Sequence, residues 1–291
     1  MQKDSGHSLL KGGVAAAVSA PPAGTAAKGK QMLSGSAPRQ RLNRVFLEGF
    51  TVMDIAEPLA SFDAERRADD VRAFMADHDY DLAGVRRDGI VCGYVRRTDL
   101  SDGCCGDHLH PFGPDDLVTE SDSLQKAIES LSINNRCFVT VLNRVGAIVT
   151  LNDLEKPPVR MFLFGMITIT EMIMTRMIAG IWPDGSWRSL VSEGRLNKAE
   201  ELFAERARRN KKVELIDCLQ FSDKSQILLR DPAFMAQLRG LGLGSRNAVL
   251  QAAKELEALR NNLAHTQEII PDGWQRIAVF ATRLEVLLEG L

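Results

Sequence analysis

Two segments of this 291-residue chain place chemically capable side chains at a regular spacing. Thr150 ends an apolar run, and Asp153 follows it three residues later. A carboxylate in the first turn of a helix can accept hydrogen bonds from both hydroxyls of a ribose, while the hydroxyl and the helix amides face a phosphate. An earlier segment repeats this frame with Asp99 as the carboxylate and Arg96 in the threonine position, where a guanidinium suits a phosphate. Both segments predict a site for a sugar phosphate.

The same carboxylates have a simpler use. Asp99 and Asp153 can cap the backbone amides of their own helical turns, which is the most frequent role of aspartate at this position. Under that interpretation the two turns support the fold and bind no ligand. The sequence leaves both interpretations open.

A different chemistry is indicated by Arg260, Asn261 and His265, at the end of a helix predicted over residues 245–264. A histidine that titrates near neutrality can transfer the proton of a ribose hydroxyl, and a guanidinium can stabilise the charge on a phosphorane. Such a pair supports RNA cleavage without a metal. Five helical residues advance about 500°, so Arg260 and His265 point roughly 140° apart. Either the helix loosens near Ala264, or a second copy completes the groove.

Arg260 also has a purely structural interpretation. It can pair with an acidic neighbour such as Glu257, while His265 ends the helix favourably against its dipole. The net charge of −2 means that any RNA contact would have to come from a local cluster of basic residues.

The elements that position these residues fall into three parts. Residues 1–40 are rich in Ala, Gly, Ser and Pro and predict a disordered tail, because they cannot bury enough apolar surface to offset their ordering entropy. Residues 42–158 contain a repeat at a shift of about 53–54 positions, each half reading helix, strand, strand and helical turn. After Pro157, residues 159–291 read as helices throughout. We predict an α+β chain in which a repeated module precedes an all-α domain.

The strings GAIVTLNDL and GYVRRTDL resemble the CBS-domain motif, which consists of a small residue, two apolar residues, Thr or Ser, two variable residues and Asp. The resemblance covers residues 50–155. It implies a tandem module with clefts for an adenosine ligand such as AMP, ATP or S-adenosylmethionine. Thr150 and Asp153 would hold the ribose in one cleft and Asp99 in the other, and Arg96 replaces the usual hydroxyl.

The string LRNNLAH, together with Glu171 and Arg176 on an earlier predicted helix, resembles the signature of HEPN domains. This resemblance covers residues 159–291. It implies a homodimer whose symmetric interface joins two pairs of Arg260 and His265, and metal-independent RNA cleavage that leaves a cyclic phosphate.

Other features narrow the function class. The loop from Cys104 to His108 has a Cys-x-x-His spacing but lacks the second ligand pair of a zinc site, so we predict no metal. Five cysteines without an N-terminal signal segment favour reduced thiols and a cytoplasmic location. The run from Met161 to Trp182 is long enough to cross a membrane. Glu171 and Arg176 would cost about 5–7 kcal/mol there, more than its Leu, Ile and Phe residues return, so we predict a buried helix and no membrane partner.

The sequence therefore predicts a metal-independent endoribonuclease regulated by an adenine nucleotide, with a composite site at a homodimer interface. The alternative is a non-catalytic protein that senses a nucleotide, dimerises and binds a partner. A third interpretation is a regulatory subunit of another enzyme.

Overall fold

The computed structural model describes residues 41–240, apart from 43 and 47, and residues 245–264. The predicted tail over residues 1–40 and the predicted site residue His265 lie outside the described residues. In chain order the repeated module contains β1 (Glu57–Pro58), β2 (Ser61–Asp63), α1 (Ala68–Asp77), β3 (Leu82–Arg87), β4 (Ile90–Arg96), β5 (His110–Pro111), β6 (Leu117–Thr119), α2 (Leu124–Asn134), β7 (Arg136–Val141) and β8 (Arg144–Thr150).

Each hairpin turns over two residues with positive φ. Asp88 and Gly89 join β3 to β4 with φ values of 51° and 74°, and Leu142 and Asn143 join β7 to β8 with φ values of 50° and 63°. Positive φ at both turn positions matches the twist of the flanking strands. The strands of each hairpin therefore continue up to the two turn residues.

The two repeats exchange a short strand. β1 precedes the first repeat but pairs with β8 of the second, and β5 precedes the second repeat but pairs with β4 of the first. The resulting sheets have the orders β1-β8-β7-β6 and β2-β3-β4-β5. Each sheet contains strands from both sides of the repeat boundary, so the two halves form one module. The hairpin strands were predicted from the repeat, whereas the leading strands β1, β2, β5 and β6 were not.

An aromatic layer joins the two sheets. The ring centroids of Tyr94 and Phe138 lie 4.9 Å apart, and those of Phe112 and Phe138 lie 4.8 Å apart in an edge-to-face contact. Leu59 and Val145 complete this buried layer. Burial of such side chains, at about 1.5–3 kcal/mol each, fixes the relative position of the strand ends that form the site described below.

The C-terminal region is helical, as predicted. It contains α3 (Pro157–Ile181), α4 (Glu193–Arg208), α5 (Phe221–Leu228), α6 (Pro232–Gly240) and α7 (Arg246–Ala264). Between α4 and α5 the chain forms only a short 3₁₀ turn, Leu215–Cys218, and not a full helix. The mixed α+β class is confirmed, whereas the HEPN identity of this region stays a prediction.

The predicted boundary near Pro158 lies in the first turn of α3. Pro157 and Pro158 occupy the first turn of α3, where a missing N–H costs no hydrogen bond and the fixed φ favours the helix. α3 therefore begins almost directly after the second repeat. One hydrophobic core runs from Leu124 and Val149 in the module to Phe162 and Ile178 in α3.

Within the described residues, one helix is long and apolar enough to cross a membrane by length and composition. It is α3, and 56% of its most apolar 18-residue window is buried inside the protein. Phe162, Ile169 and Ile178 are among the most deeply buried side chains of the chain. This packing is typical of a core helix.

Candidate functional site

A cleft of about 420 Å³ opens where β4 and β8 end. Its volume falls in the range of about 300–1,000 Å³ that is usual for small-molecule sites. The first repeat contributes Asp81, Leu82, Arg96, Arg97 and Thr98, and the second contributes Asn134, Asn135, Arg136, Thr150, Leu151 and Asn152. The structure thus brings two predicted site residues, Arg96 and Thr150, to one cleft.

The lining of this cleft follows the internal repeat. Residues 54 positions apart face it together: Arg96 with Thr150, Thr98 with Asn152, and Leu82 with Arg136. The cleft therefore lies at the junction of the two repeats and is built by equivalent positions of both. Its chemical asymmetry comes from the substitutions between the halves, which place cations on the first-repeat side at Arg96 and on the second-repeat side at Arg136.

Three arginines line the cleft, and their partners differ. Arg97 forms ion pairs with Asp81 at 2.8 Å and Asp79 at 3.6 Å. Arg136 donates from Nη2 to the hydroxyl of Tyr94 at 2.6 Å and lies 3.8 Å from Asp116. Arg96 is exposed and has no carboxylate within 4.0 Å in the described part of the chain.

The three arginines therefore differ in what they offer an anion. Arg97 is neutralised by two carboxylates. Arg136 is held against Tyr94, with its guanidinium 4.8 Å from the ring centroid, and among the described residues its buried Nε has no hydrogen-bond acceptor. Arg96 makes only the smallest contribution to the lowered pKa of Asp99, and among the described residues it forms no ion pair within 4.0 Å, so it can bind a negatively charged ligand without first breaking one.

Asp153 does not line the cleft. Its Oδ2 accepts from the backbone N–H of Thr150 at 2.7 Å and from its hydroxyl at 3.0 Å, and its Oδ1 pairs with Nζ of Lys156 at 2.8 Å. The residue is only 6% exposed. This is the capping arrangement that was the alternative interpretation of Asp153, and its ribose role stays a prediction.

The same capping frame recurs along the chain. Among the described residues, a backbone N–H donates to an aspartate three residues later at six further positions: Thr51 to Asp54, Cys104 to Asp107, Gly113 to Asp116, Thr119 to Asp122, Glu214 to Asp217, and Gln220 to Asp223. Most of these turns belong to no predicted site. The spacing alone therefore identifies a turn and does not distinguish a ligand site.

Asp99 has different surroundings from its counterpart. Because Arg96 replaces the threonine, Asp99 instead accepts from Nε2 of His110 at 2.7 Å and from the hydroxyl of Thr98 at 3.0 Å. The hydrogen bond from His110, followed by that from Thr98, lowers the pKa of Asp99. The ring of His110 stacks on Tyr94 at 5.3 Å. Asp99 is therefore a half-exposed carboxylate beside, and not within, the cleft.

Sequence reasoning missed Arg136 and His110. Arg136 begins a strand whose counterpart in the first repeat begins with Leu82, so the repeat gave no reason to expect a cation there. His110 lies on β5, a two-residue strand with no periodic pattern. For Arg136, the sequence feature that could have indicated a site was a charged residue at the start of a buried strand.

A chain of contacts leads from the cleft to the helical region. Lys156 precedes α3 and donates to the carbonyl of Ile55 at 2.7 Å and to Glu57 as well as to Asp153. Burial lowers the pKa of Lys156, but hydrogen bonds to Asp153 and Glu57 outweigh burial and raise the pKa overall. Lys156 therefore stays charged and fixes the turn after β8 to the start of α3.

Arg160 continues this connection. Its Nη1 lies 3.4 Å from Glu155, which follows the cleft turn, and its Nη2 donates to the carbonyl of Asn262 at 3.3 Å. Asn262 lies on α7, two residues after Arg260. One side chain on α3 thus contacts both the turn beside the cleft and the C-terminal end of α7.

Arg260 itself belongs to a partly buried ion cluster. Glu171 on α3 accepts from Nη1 of Arg260 at 3.2 Å and from Nζ of Lys224 at 3.0 Å. The Lys224 side chain is 3% exposed and that of Arg260 is 30% exposed. Arg260 thus pairs with Glu171 and not with Glu257, whose carboxylate accepts from the N–H of Ser222.

The other predicted residues of this site are more dispersed. Asn261 and Arg176 are exposed, on α7 and α3 respectively, and His265 lies outside the described residues. Of the predicted set, the structure brings Glu171 and Arg260 together. Their pairing shows a charge cluster in the helical core, and the catalytic role of Arg260 and His265 stays a prediction.

The Cys104–His108 loop offers no reactive thiolate at Cys105. Burial, with a smaller contribution from Cys104, raises the pKa of the Cys105 thiol to about 11. Nε2 of His108 lies 3.0 Å from the carbonyl of Asp102. In the chain segments that the structure describes, no group of three or more His, Cys, Asp or Glu side chains is arranged to hold a metal ion.

Comparison with known proteins adds a likeness to solved CBS structures. No protein-family model matches the sequence, and no curated protein matches it. The CBS domain of a bacterial CNNM/CorC family Mg²⁺ transporter is 18% identical over 42% of this chain and 85% of its own, with a TM-score of 0.34. The same family's domain in complex with ATP is 17% identical over 43% and 94%, with a TM-score of 0.34.

A plant protein is similar to the same extent. CBSX2 in complex with AMP is 20% identical over 36% of this chain and 93% of its own, with a TM-score of 0.33. The CBS-pair protein CBSX2 is from Arabidopsis thaliana. These identities and TM-scores are too low to carry an argument. The CBS-like organisation of residues 50–155 therefore rests on the repeat and on the strand order of this chain's own structure.

Proposed function

We propose that the cleft between the two repeats binds an adenine nucleotide and that the protein is a nucleotide-responsive regulator. The observation that carries this proposal is Arg96, which in the described chain has no carboxylate within 4.0 Å and lies at the edge of a cleft built by equivalent positions of both repeats. The adenine class follows from the resemblance of GAIVTLNDL and GYVRRTDL to the CBS motif.

The lining divides between the parts of such a ligand. Arg96 suits the phosphate as a charge-assisted donor, and Arg136 adds a second guanidinium to the lining. The hydroxyl of Thr150 already donates to Asp153, so it faces a ligand as an acceptor. Thr98 and Asn152 add polar groups from equivalent positions. These groups are typical of a site that orients a sugar phosphate within a partly apolar cleft.

The test is the melting temperature of the full chain with AMP, ADP, ATP and S-adenosylmethionine. A ligand at a hundredfold excess over Kd stabilises the folded state by about 2.7 kcal/mol. Arg96→Ala should remove most of this increase. Arg87→Ala provides a matched control because Arg87 is an exposed arginine at the end of β3, away from the cleft. If none of the four ligands raises the melting temperature, the proposal fails.

Regulation requires a route out of the cleft, and Arg160 provides one through its contacts to Glu155 and Asn262. We expect nucleotide to slow hydrogen exchange at the C-terminal end of α7 in the wild type. In Arg160→Ala the ligand should still bind, but this protection of α7 should be lost. Unchanged protection in that variant would exclude Arg160 as the connection.

A second candidate is the metal-independent endoribonuclease predicted from Arg260 and His265. The observation that favours it is the partly exposed guanidinium of Arg260, oriented by Glu171. In this role Arg260 would clamp a phosphate and His265 would donate or accept a proton. The site would form between two copies, as the HEPN resemblance implies.

This candidate is tested by incubating purified protein with labelled RNA in excess chelator. Loss of a general acid-base group typically costs 10²–10⁴-fold in rate. His265→Ala should therefore remove cleavage while the circular dichroism spectrum stays unchanged. If the wild-type protein does not cleave RNA, either with or without nucleotide, the ribonuclease candidate is rejected and the non-catalytic regulator remains.

A further inference from the structure

A second cleft, of about 320 Å³, opens at the C-terminal end of α3. Trp182 and Trp187 form its aromatic wall, and Asp184, Arg188 and Glu214 form its polar rim. None of these residues belongs to the nucleotide cleft or to the Arg260 cluster. The cleft therefore needs an explanation of its own.

The aromatic wall is arranged for stacking. Trp187 is 5% exposed, and the guanidinium carbon of Arg188 lies 5.0 Å from its ring centroid. Nη1 of Arg188 donates to the carbonyl of Gly185 at 3.1 Å, which holds the guanidinium at the rim. Trp182 is only half-buried, so part of its indole remains open to the cleft. A flat ring can therefore stack beside a cation here.

The chain that leads into this cleft is strongly basic. Five of the seven residues from Arg206 to Lys212 are Arg or Lys, although the whole chain has a net charge of −2. Lys212 lies two positions before Glu214, which lines the cleft. Basic residues at a helix C-terminus commonly complement the helix dipole. That explains Arg208, but Lys211 and Lys212 lie beyond the end of α4 and are exposed.

We propose that this cleft and the adjoining basic run form a binding site for single-stranded nucleic acid. A base stacks on Trp182, and the following phosphates contact Lys211 and Lys212. Asp184 and Glu214 accept hydrogen bonds from the amino groups of the base. The site does not rest on the proposed nucleotide function, since it shares no residue with that cleft.

The rim distinguishes this ligand from other polyanions. Carboxylates at Asp184 and Glu214 repel an acidic peptide, whereas they recognise the amino edge of a base. Hydrogen bonds from the backbone and hydroxyl of Ser186 lower the pKa of Asp184, which keeps it an acceptor. An anionic membrane surface would favour exposed apolar anchors beside the lysines, and the neighbouring Leu215 is half-buried.

The experiment measures fluorescence anisotropy of a labelled, mixed-sequence single-stranded RNA with the full chain over a salt series. The variant Lys211→Glu/Lys212→Glu should weaken binding at least tenfold and reduce the salt slope by about 1.4, since each single-strand phosphate contact contributes about 0.7. The control Arg87→Glu/Arg144→Glu makes the same charge change at exposed hairpin residues. It should bind as the wild type does.

Trp182 is tested separately. Trp182→Ala should weaken binding about 5- to 160-fold, the value of one base stack, whereas Trp182→Phe should retain most of the affinity. Equal affinity for the lysine variant and its control, or no RNA binding by the wild type, overturns the proposal. If polyglutamate or phosphatidylserine vesicles compete as well as unlabelled RNA does, the site binds an acidic peptide or an anionic membrane, and the nucleic-acid assignment is wrong. Arg96→Ala and Arg260→Ala should both keep RNA binding, which separates this site from the proposed functions.

Discussion

Arg96 and Arg260 were both predicted to bind phosphate, and the structure gives them opposite surroundings. Arg96 faces a cleft at the end of β4 without a carboxylate within 4.0 Å in the described chain, whereas Arg260 pairs with Glu171, which also neutralises the buried Lys224. The same residue type is thus available for a ligand in one region and used for folding in the other. Residue type and spacing suggest a chemistry, but the partner of the charge decides whether that chemistry is available.

The largest expected effect tests the structural role of the Arg260 cluster. Glu171→Ala removes the carboxylate partner of Lys224 and leaves a buried ammonium unpaired. We expect the free energy of unfolding to fall by about 3–5 kcal/mol, as measured by urea denaturation. The control is Glu205→Ala, which breaks the exposed pair with Arg209 and should cost less than about 1 kcal/mol. Similar losses in both variants would mean that Lys224 does not depend on Glu171.

A smaller effect separates capping from ribose binding at Asp153. Asp153→Ala removes the acceptor of the Thr150 amide and the partner of Lys156, and we expect a loss of about 2 kcal/mol, near the upper limit for a cap. Asp54→Ala breaks the same frame at an exposed turn and should cost about 0.5 kcal/mol. Thermal denaturation of Asp153→Ala and Asp54→Ala without ligand measures these two losses of stability. If Asp153→Ala melts at the same temperature as the wild type, Asp153 does not stabilise the turn, and its carboxylate is available to bind a ligand.

The smallest effect concerns Asp99. Its pKa is lowered in the folded protein, chiefly by the hydrogen bond from His110, so the ionised form stabilises the fold. This contribution is present above the ordinary value of 3.8 and is lost as the pH falls through the lower folded pKa. The melting temperatures of the wild type and Asp99→Asn should therefore differ at pH 5 to 6, about one to two units above that value, and converge below about pH 3. A constant difference across this range would contradict the assignment.

The sequence predicted the parts of the fold that repeat or alternate. The hairpin strands could be located because apolar residues recur at a shift of 53–54 positions. The exchanged strands β1 and β5 could not, because two residues carry no periodicity. Pro157 and Pro158 predict a boundary near residue 158, and in the structure they form the first turn of α3, where proline is favoured.

Some residues of the candidate site could be predicted from the sequence and others could not. Arg96 and Thr150 could be found because each ends a strand within the doubled motif. Arg136 and His110 lie on strands outside that motif. The pairing of Arg260 with Glu171 joins residues 89 positions apart, and such a distant partner leaves no local spacing to detect.

The most direct test of the central claim is isothermal titration calorimetry of AMP and ATP into the full chain. We predict binding of one nucleotide to the cleft between the repeats, loss of that binding in Arg96→Glu, and retention in Arg87→Glu. The free energy of unfolding of each variant should stay within about 0.5 kcal/mol of the wild-type value, because each change lies at an exposed side chain. Nucleotide binding that is equal in Arg96→Glu and Arg87→Glu, or absent from the wild type, would contradict this assignment of the cleft.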